Sequence, residues 1–334
     1  MTRVMTTGFV FVDILATELP MIPGPGERVL VPPGIKIWIG GHPANVAVDL
    51  IQLGLRKEEV RTVLAVGDDL FSDFVQKFLR SRGVTYRLQR VKNTSTGISL
   101  ILVIKGKDKA IVSDHGANHF LEYNHVMQSL KDFNPDVLYV ASGILGEFDL
   151  KLKELLEHCA INDIFTVVDL RHPYGKDWSY SYSALPFIDV LHSNVKELSG
   201  ITGKNELKDG LRWLSKKGVK FPIVSDGENG AIGLFKDKFI IQPAFNVRAI
   251  DPTGAGDAMC AGVIRKLSDI VNKRKRIEDL SVEEAKEILL FAQAAGAVCV
   301  EEIGTTKGVT IERVNNIIKE QGEEIRSKTV IENI

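Results

Sequence analysis

The stretch Asp251-Pro-Thr-Gly-Ala-Gly-Asp257 stands where the secondary-structure pattern of the chain changes. Residues 239–250 are typical of extended chain, and from Ala258 onward small and apolar residues recur at helical spacing. The first amides of a helix have no partner inside the helix, and the helix dipole makes this end partially positive. Because glycines let an anion approach those amides, the stretch predicts a phosphate-binding helix start.

Asp257 is unexpected at a phosphate site, because its carboxylate would repel the bound anion. A carboxylate has a use there if it accepts the proton of a hydroxyl group that attacks the phosphate. An ordinary helix N-cap would also explain this aspartate taken alone. The three small residues directly before it, Gly254, Ala255 and Gly256, favour the catalytic interpretation.

The composition is that of a globular protein. The 334 residues are 44% hydrophobic and 25% charged, with a formal net charge of -1. Such a chain has no general attraction to nucleic acid or to anionic membranes, and its apolar runs are too short to span a membrane. Cys159, Cys260 and Cys299 are far apart in apolar helical patterns, which predicts core thiols in a reducing cytoplasm.

Strand and helix patterns alternate along most of the chain. Residues 4–14 form an apolar, β-branched run that predicts a buried strand with Asp13 at its tip. A helical period follows after Gly40, and Gly54 is expected to end it. The same alternation recurs over residues 62–79 and 137–235, which predicts an α/β fold with a mainly parallel, doubly wound sheet.

Two segments, at about residues 10–39 and 94–116, interrupt this alternation. Short strands are predicted at residues 29–31 and 35–39, and a hairpin is predicted on either side of Lys105-Gly-Lys-Asp108. Together they would form a small separate sheet. We expect one domain over residues 1–322 with these segments inserted in it as a lid, and a loose charged tail at 323–334.

Five motifs occur in an order that resembles the phosphofructokinase-B, or ribokinase-like, carbohydrate kinases. They are Gly40-Gly-x-x-x-Asn45, Val66-Gly-Asp-Asp69, His115-Gly-Ala-Asn118, Asn194-x-x-Glu197, and Asp251 to Asp257 followed by Ala261-Gly262. The resemblance covers roughly residues 5–320. It implies a three-layer ribokinase-like fold with a small β-sheet lid, and ATP-dependent phosphorylation of a hydroxyl group of a sugar or sugar acid.

The resemblance also implies roles for the residues of the helix start. Asp257 would be the catalytic base, and the amides of Gly254, Ala255 and Gly256 would form an anion hole for the transferred phosphoryl group. Asp251 and Thr253, with carbonyl groups near residue 304, resemble a monovalent-cation site that could hold K⁺.

A second group of residues would bind the acceptor. By resemblance, Asp13, Gly41 and Asn45 would bind substrate hydroxyl groups. His42 stands where ribokinases usually carry lysine, which makes the motif similar to the fructokinase and 2-keto-3-deoxygluconate kinase branch. Arg171 lies where that branch often carries an arginine that would meet a carboxylate or a phosphate, although a surface-loop arginine is an equally good interpretation.

The nucleotide and its metal would use two further motifs. Asn194 and Glu197 resemble the pair that organises Mg²⁺ through water, although an ordinary helix start would explain them in isolation. Ser225, Gly227 and Gly230 resemble the nucleotide-binding loop, and a simple hairpin turn fits them as well. The expected partners are therefore a sugar-like substrate and ATP.

Two other functions remain open on the sequence. The first is a nucleoside kinase of the same family, and the second is a catalytically silent regulator that binds a sugar or a nucleotide. Exposed strands of the lid also predict a homodimer, because an open apolar sheet invites covering by a second subunit.

Overall fold

The computed structural model describes residues 2–31, 34–105, 109–271 and 276–334. Its strands are β1 (Val4–Gly8), β2 (Phe11–Leu19), β3 (Ile35–Gly40), β4 (Val60–Val66), β5 (Thr85–Arg90), β6 (Ile98–Ile104), β7 (Lys109–Asp114), β8 (Val137–Ser142), β9 (Phe165–Leu170), β10 (Val190–Asn194), β11 (Phe221–Ser225), β12 (Ala231–Phe235), β13 (Lys238–Gln242) and β14 (Val330–Asn333). Its helices are α1 (His42–Gln52), α2 (Leu70–Ser81), α3 (Tyr123–Phe133), α4 (Glu147–Leu150), α5 (Leu152–Ile161), α6 (Val195–Thr202), α7 (Leu207–Lys216), α8 (Ala255–Val271), α9 (Val282–Val300) and α10 (Ile311–Lys328).

The larger sheet has the strand order β14-β13-β12-β11-β10-β9-β8-β1-β4-β5 within the described residues. The strands from β5 across to β11 run parallel, and β12, β13 and β14 are antiparallel additions. β8 and β9 are buried along their whole length, as expected for parallel strands whose two faces are both covered. The predicted α/β fold with a mainly parallel sheet is confirmed.

The smaller sheet, here called the lid, has the order β3-β2-β6-β7. The single strand predicted at residues 4–14 is wrong, because β1 ends at Gly8 and the chain enters the lid at Phe11. Gly8 has φ +144°, and a Cβ atom there would lie 2.5 Å from the carbonyl oxygen of Ala141. Asp13 therefore lies inside a lid strand and not at the tip of a core strand.

Two further predictions about the lid have different outcomes. Residues 29–31 were predicted as a strand, which is wrong, because no strand is formed there. Most of the predicted hairpin turn, residues 106–108, lies outside the described residues, although the strands on either side of it pair antiparallel as β6 and β7.

The loose tail predicted at residues 323–334 is also wrong. α10 continues to Lys328, and β14 pairs antiparallel with β13 at the edge of the larger sheet. Ile325 is buried, and the guanidinium of Arg326 makes two contacts of 2.7 and 2.9 Å with the carboxylate of Glu287. The high charge of this segment belongs to the solvent face of an amphipathic helix, which the composition alone did not reveal.

The fold brings several chain ends to one edge of the larger sheet. β9, β10 and β11 are parallel neighbours, so their carboxyl ends carry Asp169, Asn194 and Ser225 to the same side. α8 packs against α1 and α9, and the first turn of α8 contacts groups at this edge. In open α/β sheets ligands bind outside the carboxyl ends of the strands, so the candidate site lies here.

The cysteines behave as predicted, since Cys159, Cys260 and Cys299 are free and buried. Ser281 and Glu284 form a capping box at the start of α9. None of the described helices is long and apolar enough to cross a membrane.

Candidate active site

The loop before α8 is held in a shape that only glycine allows at one position. Gly254 has φ +89°, and a Cβ atom there would lie 2.8 Å from the Cα atom of Thr305. Asp251 fixes the loop from the other side, because its Oδ1 accepts a hydrogen bond from the amide of Thr253 (3.0 Å) and its Oδ2 accepts one from the amide of Gly304 (3.3 Å). The helix therefore starts at Ala255 beside a second loop, and the amide of Ala255 donates a hydrogen bond of 3.3 Å to the carbonyl oxygen of Pro252.

Asp257 lies in the first turn of α8 and is buried. Its Oδ2 accepts a hydrogen bond of 2.7 Å from Nδ2 of Asn45, and Oδ1 of Asn45 accepts one of 2.9 Å from Oγ1 of Thr305. Asn45 lies inside α1, whose N-cap is Gly41, so it is not a helix cap. Asn45 therefore fixes one oxygen of the proposed base and joins it to the loop at Thr305.

His42 contacts the other oxygen of Asp257. Its Nδ1 lies 2.5 Å from Oδ1 of Asp257 and 3.5 Å from Oδ2 of Asp169. Burial favours the neutral ring, but the charges of the two carboxylates outweigh burial and raise the pKa of His42 to about 10. His42 is thus a cation at neutral pH that two carboxylates already contact.

Asp169 and His192 also belong to the site, and the sequence analysis missed both. Nδ1 of His192 lies 3.5 Å from Oδ2 of Asp169, and its Nε2 lies 3.2 Å from Oγ of Ser225. Burial raises the pKa of Asp169, but His42 and His192 outweigh it and hold that pKa well below its usual range. The signal that could have found them is a polar residue near the carboxyl end of each buried, apolar strand.

Two sets of these side chains could hold a metal ion within the described residues. Donor atoms of Asp169, His192 and Cys260 lie within 4.8 Å of one another, and so do those of His42, Asp169 and Asp257. Imidazole and thiolate ligands suit a transition metal, whereas the predicted Mg²⁺ pair, Asn194 and Glu197, offers the oxygen ligands that Mg²⁺ prefers.

The lid places Asp13 and Lys109 at the site. Burial raises the pKa of Asp13 to about 6, and the charge of Lys109 and a hydrogen bond from Ser99 oppose this rise. Lys109 also donates a hydrogen bond of 3.2 Å to Oγ1 of Thr253, in the loop before α8. Lys109 was not among the site residues predicted from the sequence, and it joins the lid to the loop that precedes the proposed anion hole.

The predicted metal pair forms a capping box at the start of α6. The side chains of Asn194 and Glu197 each accept a hydrogen bond from the backbone amide of the other residue. Burial, followed by the charge of Asp169, raises the pKa of Glu197. Arg171 lies 3.3 Å from Oε1 of Glu197, beside the predicted metal pair, and its predicted contact with substrate stays a prediction.

The predicted nucleotide loop follows β11. Ser225 ends that strand and contacts His192, and Gly227 and Gly230 lie in the turn before β12. A Cβ atom on Gly227 would meet nothing within 4 Å, whereas one on Gly230 would collide with the backbone of Gln242. Open space at Gly227 is consistent with the predicted nucleotide contact, and Gly230 has a packing role.

One buried carboxyl beside the site has no assigned role. Asp49 lies one turn after Asn45 in α1, is fully buried, and neither of its carboxyl oxygens has a hydrogen-bond partner among the described residues. Burial, followed by the charge of Asp257, raises its pKa well above the usual value. Folding therefore favours the protonated form of Asp49.

We expect Asp49→Asn to change how stability depends on pH. In the wild-type protein the unfolded chain ionises Asp49 freely above its ordinary pKa, while the folded protein resists ionisation. The free energy of unfolding should therefore fall as pH rises from about 4 toward the folded pKa, by up to about 1.4 kcal/mol per pH unit. Urea unfolding of both proteins from pH 5 to pH 8 should show a steeper fall in the wild type, because Asp13, whose pKa is raised to about 6, contributes the same fall to both proteins.

Asp73→Asn, at an exposed acid of α2, is the control and should leave the slope unchanged. An equal slope in the wild type and in Asp49→Asn would contradict the prediction. It would indicate that Asp49 is ionised in the folded protein beside a bound cation.

Comparison with known proteins places this geometry in context. Residues 1–312 match the model of the pfkB family carbohydrate kinases. A deoxyribokinase of Salmonella typhi is 30% identical over 254 residues, which cover 73% of this chain and 79% of that protein.

Solved structures agree on the fold. The ribokinase of Giardia lamblia superposes with a TM-score of 0.82 at 20% identity, and the match covers 96% of this chain and 99% of the Giardia chain. The Arabidopsis thaliana ribokinase complexed with ribose and ATP has a TM-score of 0.78 at 21% identity and the same coverage.

Proposed function

The chain belongs to the pfkB family of carbohydrate kinases, and from that premise we propose that it transfers the γ-phosphoryl group of ATP to a hydroxyl group of a small neutral sugar. The position of Asp257 carries the proposal. Its carboxylate lies at a helix start, a place that suits a phosphate, and Asn45 orients it from the acceptor side.

The proposed reaction uses these groups in one displacement. The acceptor hydroxyl gives its proton to the carboxylate of Asp257 as its oxygen attacks the γ-phosphorus, and the bond from that phosphorus to the leaving ADP oxygen breaks. The amides of Gly254, Ala255 and Gly256 would stabilise the charge on the transferred group. Lid closure over the acceptor would exclude water and so limit ATP hydrolysis.

Charge at the acceptor side favours a neutral sugar over a sugar acid. Asp13 and Asp257 are carboxylates, which accept hydrogen bonds from sugar hydroxyl groups but repel a substrate carboxylate. His42 would attract a carboxylate, but Asp257 and Asp169 already contact it. Within the fructokinase and 2-keto-3-deoxygluconate kinase branch, this balance supports a fructokinase-like substrate.

Mg²⁺ and ATP complete the proposal. The amide oxygen of Asn194 and the carboxylate of Glu197 are oxygen donors that suit Mg²⁺, and burial of Glu197 favours a nearby cation. Since both side chains already accept backbone hydrogen bonds, they would hold the ion through water. When bound, Mg²⁺ neutralises charge on the phosphate oxygens.

We also propose a K⁺ site at Asp251 and the carbonyl groups near Gly304. Thr253 suits this site less well, because its hydroxyl group accepts a hydrogen bond from Lys109.

A substrate panel tests the proposed function. D-Fructose, D-ribose, 2-deoxy-D-ribose, 2-keto-3-deoxygluconate, fructose 6-phosphate and adenosine would each be assayed with ATP, ADP and GTP, with the product identified by mass spectrometry. We expect a neutral sugar with ATP to give the highest kcat/KM. Turnover of adenosine alone would favour a nucleoside kinase, and binding without phosphorylation of any member would favour a silent regulator.

We propose that two copies of the chain associate through the lid. Register places Ile37, Ile14, Leu100 and Val112 in one row on the face of the lid opposite Asp13. Ile37, Leu100 and Val112 are 48%, 43% and 63% exposed. An apolar sheet face of this kind marks an interaction site, and a second lid would cover it with matching apolar residues.

We expect the wild-type protein to be a dimer and Leu100→Lys to be a monomer, because the lysines would meet in the apolar interface. Light scattering after size exclusion should give twice the chain mass of 36.9 kDa for the wild type and once that mass for the variant. Ile161→Lys, at an exposed isoleucine that ends α5, is the control and should stay dimeric. A wild-type monomer at micromolar concentration would contradict the proposal.

A further inference from the structure

Three residues, His42, Asp169 and His192, form a continuous line of contacts across the site and are here called the charge network. His42 contacts Asp257 at 2.5 Å and Asp169 at 3.5 Å, and Asp169 contacts His192 at 3.5 Å. The three residues come from α1, β9 and β10, so only the folded protein assembles them.

The far end of the charge network reaches the phosphate side of the site. Nε2 of His192 lies 3.2 Å from Oγ of Ser225, which ends β11. A Cβ atom on Gly256 would lie 3.0 Å from Cε1 of His192, so the imidazole packs directly against the proposed anion hole. The charge network therefore touches the proposed base, the anion hole and the nucleotide loop.

The negative charges of Asp257 and Asp169 explain why a cation between these two residues would be stabilising. Asp257 and Asp169 are 4% and 2% exposed, and both lie beside Nδ1 of His42. Two carboxylates in one buried pocket repel each other, and without compensation one of them keeps a proton. The position of His42 between the two carboxylates removes this problem if its ring is charged.

We propose that His42 is a positioning residue: its ring lies between the carboxylates of Asp257 and Asp169, offsets their mutual repulsion and orients Asp257 toward the acceptor hydroxyl, while Asp169 and His192 hold His42 in this place. The proposal rests on the kinase function proposed above. It changes the role of His42 from a sugar ligand to a partner of the base, because its Nδ1 already faces two carboxylates. The pKa of His42, raised to about 10, agrees with a charged ring at neutral pH.

Other titratable groups act on the charge network from each element packed around it. They are Asp49 in α1, Tyr139 in β8, Glu197 in α6, and Asp257 and Cys260 in α8. Both His42 and His192 contact Asp169, but only His42 also contacts Asp257 among the described residues. His42 is therefore the residue to vary when the charge beside Asp257 is tested.

Two variants of His42 test the proposal, with D-fructose as acceptor or the panel sugar that is turned over fastest. His42→Gln removes the charge, and His42→Lys restores a cation on a different side chain. We expect His42→Gln to lower kcat by about 10²-fold, the scale for loss of one preorganised electrostatic partner, with the KM for the sugar changed by less than about threefold. His42→Lys should recover kcat to within about tenfold of the wild type.

The pH profile of kcat supplies a readout that a purely structural role would not move. In His42→Gln the acidic limb should shift upward by about one pH unit or more, because the carboxylates then retain a proton to higher pH. In His42→Lys the limb should stay near its wild-type position. Both variants should keep the wild-type Tm within a few degrees.

Four outcomes would overturn the proposal. A raised KM for the sugar with unchanged kcat in His42→Gln would make His42 a substrate ligand, and equal losses in His42→Gln and His42→Lys would make its charge irrelevant. Stoichiometric zinc in the purified protein, lost in His192→Gln, would make Asp169, His192 and Cys260 a metal site. If Asp257→Asn loses turnover while His42→Gln does not, the charge network fails and the proposed kinase function stands.

Discussion

Asp257→Asn is expected to lower kcat by about 10³-fold, within the range for loss of a general base. The amide has the shape of the carboxylate, and its oxygen can still accept the hydrogen bond from Asn45, so the fold should persist. What it cannot do is take the proton from the attacking hydroxyl group. The loss should therefore fall on kcat, while ATP binding stays close to that of the wild type.

The measurement combines steady-state kinetics, calorimetric titration with ATP, and thermal unfolding. Asp269→Asn is a matched control, because it makes the same change on the same helix at an exposed residue paired with Arg265. It should keep wild-type kcat. Retention of more than about a tenth of the wild-type kcat by Asp257→Asn would mean that another group accepts the proton.

The sequence predicted the fold and the glycine-rich helix start because both depend on local patterns. Strand-helix alternation follows from short-range periodicity, and Gly254 to Asp257 are neighbours in the chain. The structure places Asn45 against Asp257 across 212 residues, a pairing that no local pattern predicts. Only the family resemblance predicts that the motif with Asn45 and the motif with Asp257 belong to one site.

The charge network could not be predicted for the same reason. Asp169 and His192 each lie singly in an apolar strand, and their contact depends on the parallel register of β9 and β10. His42 was noticed only as a departure from the family lysine. Its pairing with two carboxylates gives that departure a physical meaning, because a charged imidazole replaces one cation with another.

The sequence pattern did not predict where the chain passes from the larger sheet into the lid. Residues 4–14 are mostly apolar or β-branched and so resemble one strand, and Gly8 is the residue in that run that marks the passage from β1 to the lid. The consequence for the site is large, because Asp13 then belongs to the lid. Lys109 does so too, and its hydrogen bond to Thr253 joins the lid to the loop before α8. The lid thus supplies both a carboxylate and a cation to the site.

The second large effect is expected for Gly254→Ala. Gly254 has φ +89°, and an added Cβ atom would lie 2.8 Å from Cα and 3.0 Å from the carbonyl carbon of Thr305. Because those atoms are backbone, the loop before α8 must shift and carry the amides of the helix start away from the phosphoryl group. We expect kcat to fall by about 10²-fold to 10³-fold, as for loss of an oxyanion-hole donor, and stability to fall by about 1–3 kcal/mol.

Gly54→Ala is the control variant, because it introduces similar backbone strain at a position where the amides of the helix start are not displaced. Gly54 has φ +100°, close to that of Gly254, but a Cβ atom there would meet nothing within 4 Å. It should lose about 1 kcal/mol of stability, measured by urea unfolding, and keep wild-type kcat. If Gly254→Ala lost stability to the same extent and kept its kcat, the loop could shift without affecting transfer, and the amides at Gly254 to Gly256 would not be the anion hole.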